Sequence, residues 1–202
     1  MEHSHRRAGF SHRLDRALTA ATRAHHGAFR KGTDVPYAMH PFHVAFILER
    51  HGLPEDVVIA GLLHDVLEDS DVYSEDDLRS EFGEEVLRLV KAVTELRGQG
   101  GVRLPWEERK EEQLARLRGS RVDEVSLKAA DAIHNVRSLI TDLDRDGIET
   151  LDRFTKGAAE ILWYYKTIAT IVQEGLGESS PLSDDCLLYT SDAADEGLGV
   201  DL

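Results

Sequence analysis

Apolar residues recur at intervals of three and four along most of the chain, the spacing that lines one face of a helix. Leu14, Ala17, Leu18, Ala21 and Ala24 predict a first helix over residues 11–31, broken by the segment 32–37. Pro41 suits a first helical turn, where its missing N–H is unsatisfied in any case, and predicts a second helix through residue 51. Pro54 opens a third, in which Val57, Val58, Ile59, Ala60, Leu62 and Leu63 run straight into His64-Asp65. Ser74-Glu75-Asp76-Asp77 has the form of a capping box and predicts a short helix ending near Gly83. Val86, Leu89, Val90 and Val93 share a face of a helix over residues 84–96, after which the glycine-rich, basic stretch 97–105 predicts a mobile loop. Further helices are predicted over 106–117, 123–140 and 148–174. No segment of useful length alternates apolar and polar residues, and no internal repeat or linker divides the chain. The expectation is an all-α, single-domain helical bundle over residues 11–174, preceded by a flexible N-terminus at 1–10.

Composition narrows this further. A chain of 202 residues with 41% hydrophobic and 31% charged residues fits one soluble domain with a substantial core. No apolar run approaches a membrane span, and residues 1–12 are polar and basic without an apolar stretch, so neither a secretory signal nor a membrane partner is expected and a cytoplasmic location follows. The net charge of −14 is concentrated at one end. All 24 Lys and Arg lie before residue 174, against 30 of the 38 acids, so that part carries −6. This balance argues against a nucleic-acid polymer as partner, which would need a basic footprint.

The C-terminal segment reads differently. Cys186-Leu187-Leu188-Tyr189-Thr190-Ser191-Asp192-Ala193-Ala194-Asp195-Glu196 resembles a translated sequencing adapter, and Val200-Asp201-Leu202 fits its continuation. Residues 175–202 are therefore expected to be a disordered tail, with 186–202 an adapter artefact, and the sole cysteine carries no information about redox compartment.

The chemistry centres on His64-Asp65-Val66-Leu67-Glu68-Asp69. On a continuous helix His64 stands over Glu68 and Asp65 over Asp69, two metal-ligand types beside two acids able to handle water. A mostly apolar helix leads into the motif, and charges in a core are costly unless paired or metal-bound. A divalent ion needs more ligands. His40 is a candidate at a helix start, with His43 one turn later as its local competitor. Asp131, set among small and apolar residues, is another, and Asn135 follows on the same face.

This ordered set of His, His-Asp and Asp resembles the HD phosphohydrolase superfamily. The wider run is similar to the hydrolase domain of the Rel/Spo homologues, in particular the stand-alone small alarmone hydrolases. The matching segments are residues 24–31, 36–41, 62–70, 82–86, 93–94, 109–110 and 128–135, in one order over about residues 11–172. The resemblance implies that His40, His64, Asp65 and Asp131 hold one divalent ion, typically Mn²⁺, and that Glu68 and Asp69 position or deprotonate the attacking water. It implies that Arg30 and Lys31 meet guanine and phosphate and that Asn135 contacts the ribose. The implied reaction removes the 3′-pyrophosphate of guanosine tetra- or pentaphosphate, leaving GDP or GTP, and the chain is too short for a synthetase domain, so hydrolysis alone is expected.

The residues agree with this chemistry on their own terms. Mixed His and Asp ligands suit Mn²⁺, and an adjacent Arg and Lys suit a phosphorylated purine. Two departures stand out. A Lys or Arg followed by Leu is frequent after the late Asp in the family, whereas Ala132-Ile133 follow Asp131; Gly61 stands where Ala is usual, a conservative change in size. The alternatives are an HD phosphatase acting on another nucleotide and a catalytically silent nucleotide-sensing module. Retention of every ligand and acid argues against the latter, and the lack of a Gly-Tyr-Pro tripeptide argues against cyclic-dinucleotide cleavage.

Overall fold

Ser11 starts the first helix by accepting the N–H of Leu14 on its hydroxyl, so α1 spans His12–Ala24. The computed structural model describes residues 11–95 and 104–195. α1 stops well short of residue 31. The His25 N–H still reaches Ala21 O, but Gly27 takes φ +75°, a left-handed conformation open to glycine that ends the helix. Residues 28–37 then fold back through an isolated bridge between Phe29 and Pro36, which leaves Arg30 on a turn.

α2 is Met39–Arg50, with His40 and Pro41 in its first turn, and α3 is Glu55–Leu63. The chain bends at His64-Asp65 before a single further turn, α4, Val66–Asp69. The expected capping box forms at Ser74 and Asp77 and starts α5, Glu75–Phe82; α6 is Glu84–Val93. α7 spans Trp106–Arg118 and α8 the 25 residues Val122–Asp146. The predicted helix over 148–174 is in fact two elements: a 3-10 turn at Ile148–Arg153, then α9, Ala158–Leu176, begun after Gly157. Among the described residues the fold is all-α, with no strand, and no helix is long and apolar enough to cross a membrane.

α3 occupies the middle, packed on α1, α2, α6 and α8. That position explains its composition, because a helix surrounded by others has no polar face: Val57 through Leu63 are all buried. Each large aliphatic side chain so buried contributes roughly 1.5–3 kcal/mol. Gly61 is not interchangeable with Ala in this setting. A Cβ there would lie 2.6 Å from Leu48 Cδ1 and 3.4 Å from Ala45 Cα, so the glycine lets α2 and α3 approach closely.

The C-terminal segment departs from the expected disorder. α9 runs on to Leu176, and Pro181–Asp195 forms α10, packed on α8 and α9. Leu182, Cys186, Thr190 and Ala193 recur at three and four residues and are buried, a stripe overlooked in the sequence because two of its members are only weakly apolar. The predicted flexible N-terminus at 1–10, most of the predicted loop at 97–105, and residues 196–202 lie outside the described residues.

Candidate metal centre and active site

Three segments bring four candidate ligand residues together. His40 comes from the first turn of α2, His64 and Asp65 from the bend between α3 and α4, and Asp131 from the middle of α8. His40 Nε2 lies 3.2 Å from His64 Nε2 and 3.2 Å from Asp131 Oδ1. Asp65 Oδ2 is 3.2 Å from His64 Nε2 and 3.5 Å from His40 Nε2, and Asp131 Oδ1 is 3.8 Å from His64 Nε2. Donors about 2.1 Å from a shared ion sit roughly 3.0–3.4 Å apart in tetrahedral or octahedral arrangements. The spacings among His40, His64 and Asp65, which form a compact group by themselves, are close to that, and Asp131 meets it toward His40 but stands farther from His64.

The surroundings fix the ring orientations. His64 Nδ1 lies 2.9 Å from Gly61 O, which can only accept, so Nδ1 carries the proton and Nε2 turns its lone pair inward. His40 Nδ1 lies 2.7 Å from His134 Nδ1. Burial next to His40 pushes the His134 pKa down to about 2, so His134 is neutral and can accept, leaving Nε2 of His40 to the cluster. The group as a whole favours positive charge. Burial would lower His64, yet Asp65 and Asp131 outweigh it and hold its pKa well above the usual value; His40, with burial dominant, is lowered. Burial would likewise raise Asp65 and Asp131, but His64 and His40 beside Asp65, and Lys128 beside Asp131, keep both carboxyls low and ionised. Two ionised carboxylates, a neutral His40 and a His64 that would yield its Nε2 proton to a bound ion thus fit a divalent cation.

Around this point lies a cavity of about 150 Å³. Glu68 lines it; its Oε1 accepts the Glu95 N–H at 2.5 Å. Burial, aided by the charge of Asp65, pushes the Glu68 pKa up to about 7. Lys128 Nζ donates to Asp131 Oδ2 at 2.8 Å, and Lys110 Nζ pairs with Glu95 Oε1 at 3.1 Å and lies 4.6 Å from the Tyr164 ring centroid. Arg30 Nη2 donates to Asn135 Oδ1 at 2.7 Å, while Asn135 Nδ2 donates to Asp131 Oδ1 at 2.6 Å. A second cavity of about 270 Å³ lies beyond His40 and His134; it shares Arg30 with the first and is bordered by His43, Ser138 and Arg145.

Of the residues expected from sequence, His40, His64, Asp65, Glu68, Asp131, Asn135 and Arg30 come together around this cavity. His43 borders the second cavity, stacked on His134 at 4.7 Å, and is not in the ligand group. Asp69 and Lys31 line neither cavity. The charge of Asp69 acts on Tyr37 and His25, and Lys31 Nζ lies 5.8 Å from the Phe154 ring centroid. The helix expected to run unbroken through residues 64–69 bends at His64-Asp65, so the predicted stacking of His64 over Glu68 gives way to a corner that aims Asp65 and Glu68 at the cavity from α4. Tyr37, Lys110 and Lys128 were not singled out as site residues. Lys128 was nevertheless legible: it lies three residues before Asp131, one helical turn away, where the two side chains pair.

Comparison with known proteins gives the chain a family. The HD domain family model matches residues 17–156. A guanosine-3′,5′-bis(diphosphate) 3′-pyrophosphohydrolase of Haemophilus influenzae is 40% identical over 124 residues, 57% of this chain and 17% of that protein. A GTP pyrophosphokinase of Streptomyces coelicolor is 38% identical over 127 residues, 62% of this chain and 14% of that protein. The chain thus spans only a small fraction of the length of these relatives. The fold is also that of a metazoan SpoT ortholog whose structure report describes ppGpp hydrolysis, with TM-score 0.71 and 24% identity over 93% of this chain and 96% of the other. Matched over residues 17–156 by the family model, and holding a compact group of two histidines and an aspartate, this chain is a member of the HD domain family of divalent-metal-dependent hydrolases, homologous to the Rel/Spo proteins.

Proposed function

We propose that the protein hydrolyses guanosine tetra- or pentaphosphate at the 3′ position, with Mn²⁺ held by His40, His64, Asp65 and Asp131, releasing pyrophosphate and leaving GDP or GTP. The observation that carries this reading is the convergence of these four ligand atoms beside Glu68 and three cations, Arg30, Lys110 and Lys128, in one cavity. When bound, the cation polarises phosphoryl oxygen and acidifies nearby water. Glu68, with its elevated pKa, takes the proton of the attacking water; Lys110 and Lys128 offset the charge of the pyrophosphate. Water attacks the phosphorus bonded to the 3′ oxygen, that bond breaks, and the 3′ oxygen leaves protonated as the hydroxyl. Arg30, between the two cavities, holds the guanine, with Asn135 toward the ribose; Lys31, against Phe154 and outside both cavities, has no part in this reading. Incubation with Mn²⁺ and a panel of phosphorylated nucleotides tests this: pyrophosphate and GDP from guanosine tetraphosphate is the expected result, and turnover confined to simple phosphomonoesters would favour a general nucleotidase.

Arg30→Ala is expected to weaken guanosine tetraphosphate binding about tenfold and to relax base preference, since a desolvated cation–π contact is worth roughly 1–2 kcal/mol. The KM for guanosine and adenosine substrates is the measurement; equal KM values in variant and wild type would remove Arg30 from the site.

The proposed domain limits are residues 11–174 for the hydrolase, with 186–202 an adapter translation. Neither cavity takes a lining residue beyond Tyr165. A chain ended after Asp185 should retain Mn²⁺-dependent turnover, whereas its loss would make α10 part of the enzyme.

A further inference from the structure

Arg30 is tied to both carboxylates of the ligand set by separate routes. One runs through Asn135 to Asp131, as described above. The other runs through an aromatic ring. The Arg30 guanidinium carbon lies 5.6 Å from the Tyr37 ring centroid, and the Tyr37 hydroxyl donates to Asp65 Oδ2 at 2.7 Å. That oxygen is the one facing His64 and His40, at 3.2 and 3.5 Å. The ring is held in turn by His25, buried, with centroids 4.7 Å apart.

We propose that Tyr37 is a positioning residue with two separable parts: its hydroxyl aims the cation-binding oxygen of Asp65, and its ring holds Arg30 for the purine. The first part follows from the hydrogen-bond direction. A carboxylate oxygen can only accept, so the phenol hydroxyl 2.7 Å away is the donor of this contact. With Oδ2 pinned, the carboxylate does not rotate away from the histidines, the role that outer hydrogen bonds play at metal sites. The second part follows from geometry. An arginine on a turn has a long flexible stem, and an aromatic face restricts it to the wall between the two cavities. The purine identity rests on the hydrolase reading above.

Two variants separate the parts. Tyr37→Phe keeps the ring and removes the donor, so Mn²⁺ binding to the metal-free protein, followed by calorimetry, should weaken at least about tenfold. Binding of guanosine, which has no phosphate to coordinate the ion, should be unchanged. Tyr37→Leu should weaken both, the guanosine about threefold. A general loss of structure cannot produce the split seen in Tyr37→Phe, and equal melting temperatures of the metal-free proteins would exclude it. Wild-type Mn²⁺ affinity in Tyr37→Phe, or wild-type guanosine affinity in Tyr37→Leu, overturns the proposal. A weakened Mn²⁺ site in Tyr37→Phe, in a protein whose wild type releases no pyrophosphate, supports the role of the hydroxyl and counts against the proposed reaction alone.

Discussion

Asp65→Ala is expected to lose the cation and the activity together. Asp65 Oδ2 is 3.2 Å from His64 Nε2 and 3.5 Å from His40 Nε2, and the remaining carboxylate, Asp131, is already engaged by Lys128 and Asn135. Two imidazoles and one committed carboxylate make a poor site for a hard divalent ion. Elemental analysis should therefore fall from one ion per chain to a small fraction of that. A ligand at one hundred times its Kd stabilises the fold by about 2.7 kcal/mol, so the wild-type melting temperature should rise with Mn²⁺ and that of the variant should not. Unchanged metal content in both Asp65→Ala and His64→Ala would refute the ligand assignment.

Glu68→Gln should have the opposite profile, with the ion retained and turnover lost. Its carboxylate is anchored by the Glu95 N–H and faces the cavity, but it is outside the compact ligand group. Losing a general base costs on the order of 10²–10⁴ in rate. The amide keeps the size and the acceptor for Glu95 N–H, so folding should be spared. The pH profile gives an independent check. A base must be unprotonated to act, so wild-type kcat should fall as pH drops past about 7, or at a lower pH with a cation next to it, and this limb should be missing from the residual activity of Glu68→Gln. Asp69→Asn should cost less, because Asp69 does not line the cavity. Near-wild-type kcat in Glu68→Gln at full metal occupancy would end its candidacy as the base.

Why the proposed ligands were legible and some of their supports were not has a physical reason. His40, His64, Asp65 and Asp131 stand out in sequence because each interrupts an apolar environment that tolerates charge only when it is compensated. Helix periodicity likewise exposed α6, whose buried stripe is regular, while Pro41, Pro54 and the capping box at Ser74 marked the starts of α2, α3 and α5. It could not reveal the bend at His64-Asp65, since the residues on both sides keep the same spacing whether the helix is straight or cornered. The end of α1 was signalled by Gly27, but Ala28 and Phe29 prolonged the apolar pattern and masked it. Tyr37 and Lys110 were hidden for another reason. Their partners, Asp65 and Glu95, are 28 and 15 residues distant, and no local pattern encodes a contact made by the folding back of a turn or by packing against another helix.

The close approach at Gly61 bears on engineering. Replacing residues by those most common among relatives is a reliable route to thermostability, and Ala for Gly inside a helix ordinarily adds up to about 1 kcal/mol. Here the alanine methyl would enter space that Leu48 already fills, in the residue whose carbonyl accepts from the His64 ring. Positions 48 and 61 therefore share one volume across the α2–α3 contact, so that a chain with Ala at 61 calls for a smaller partner at 48. Consensus design that treats the two independently would crowd the contact between the helix that begins with Met39-His40 and the helix that ends at His64.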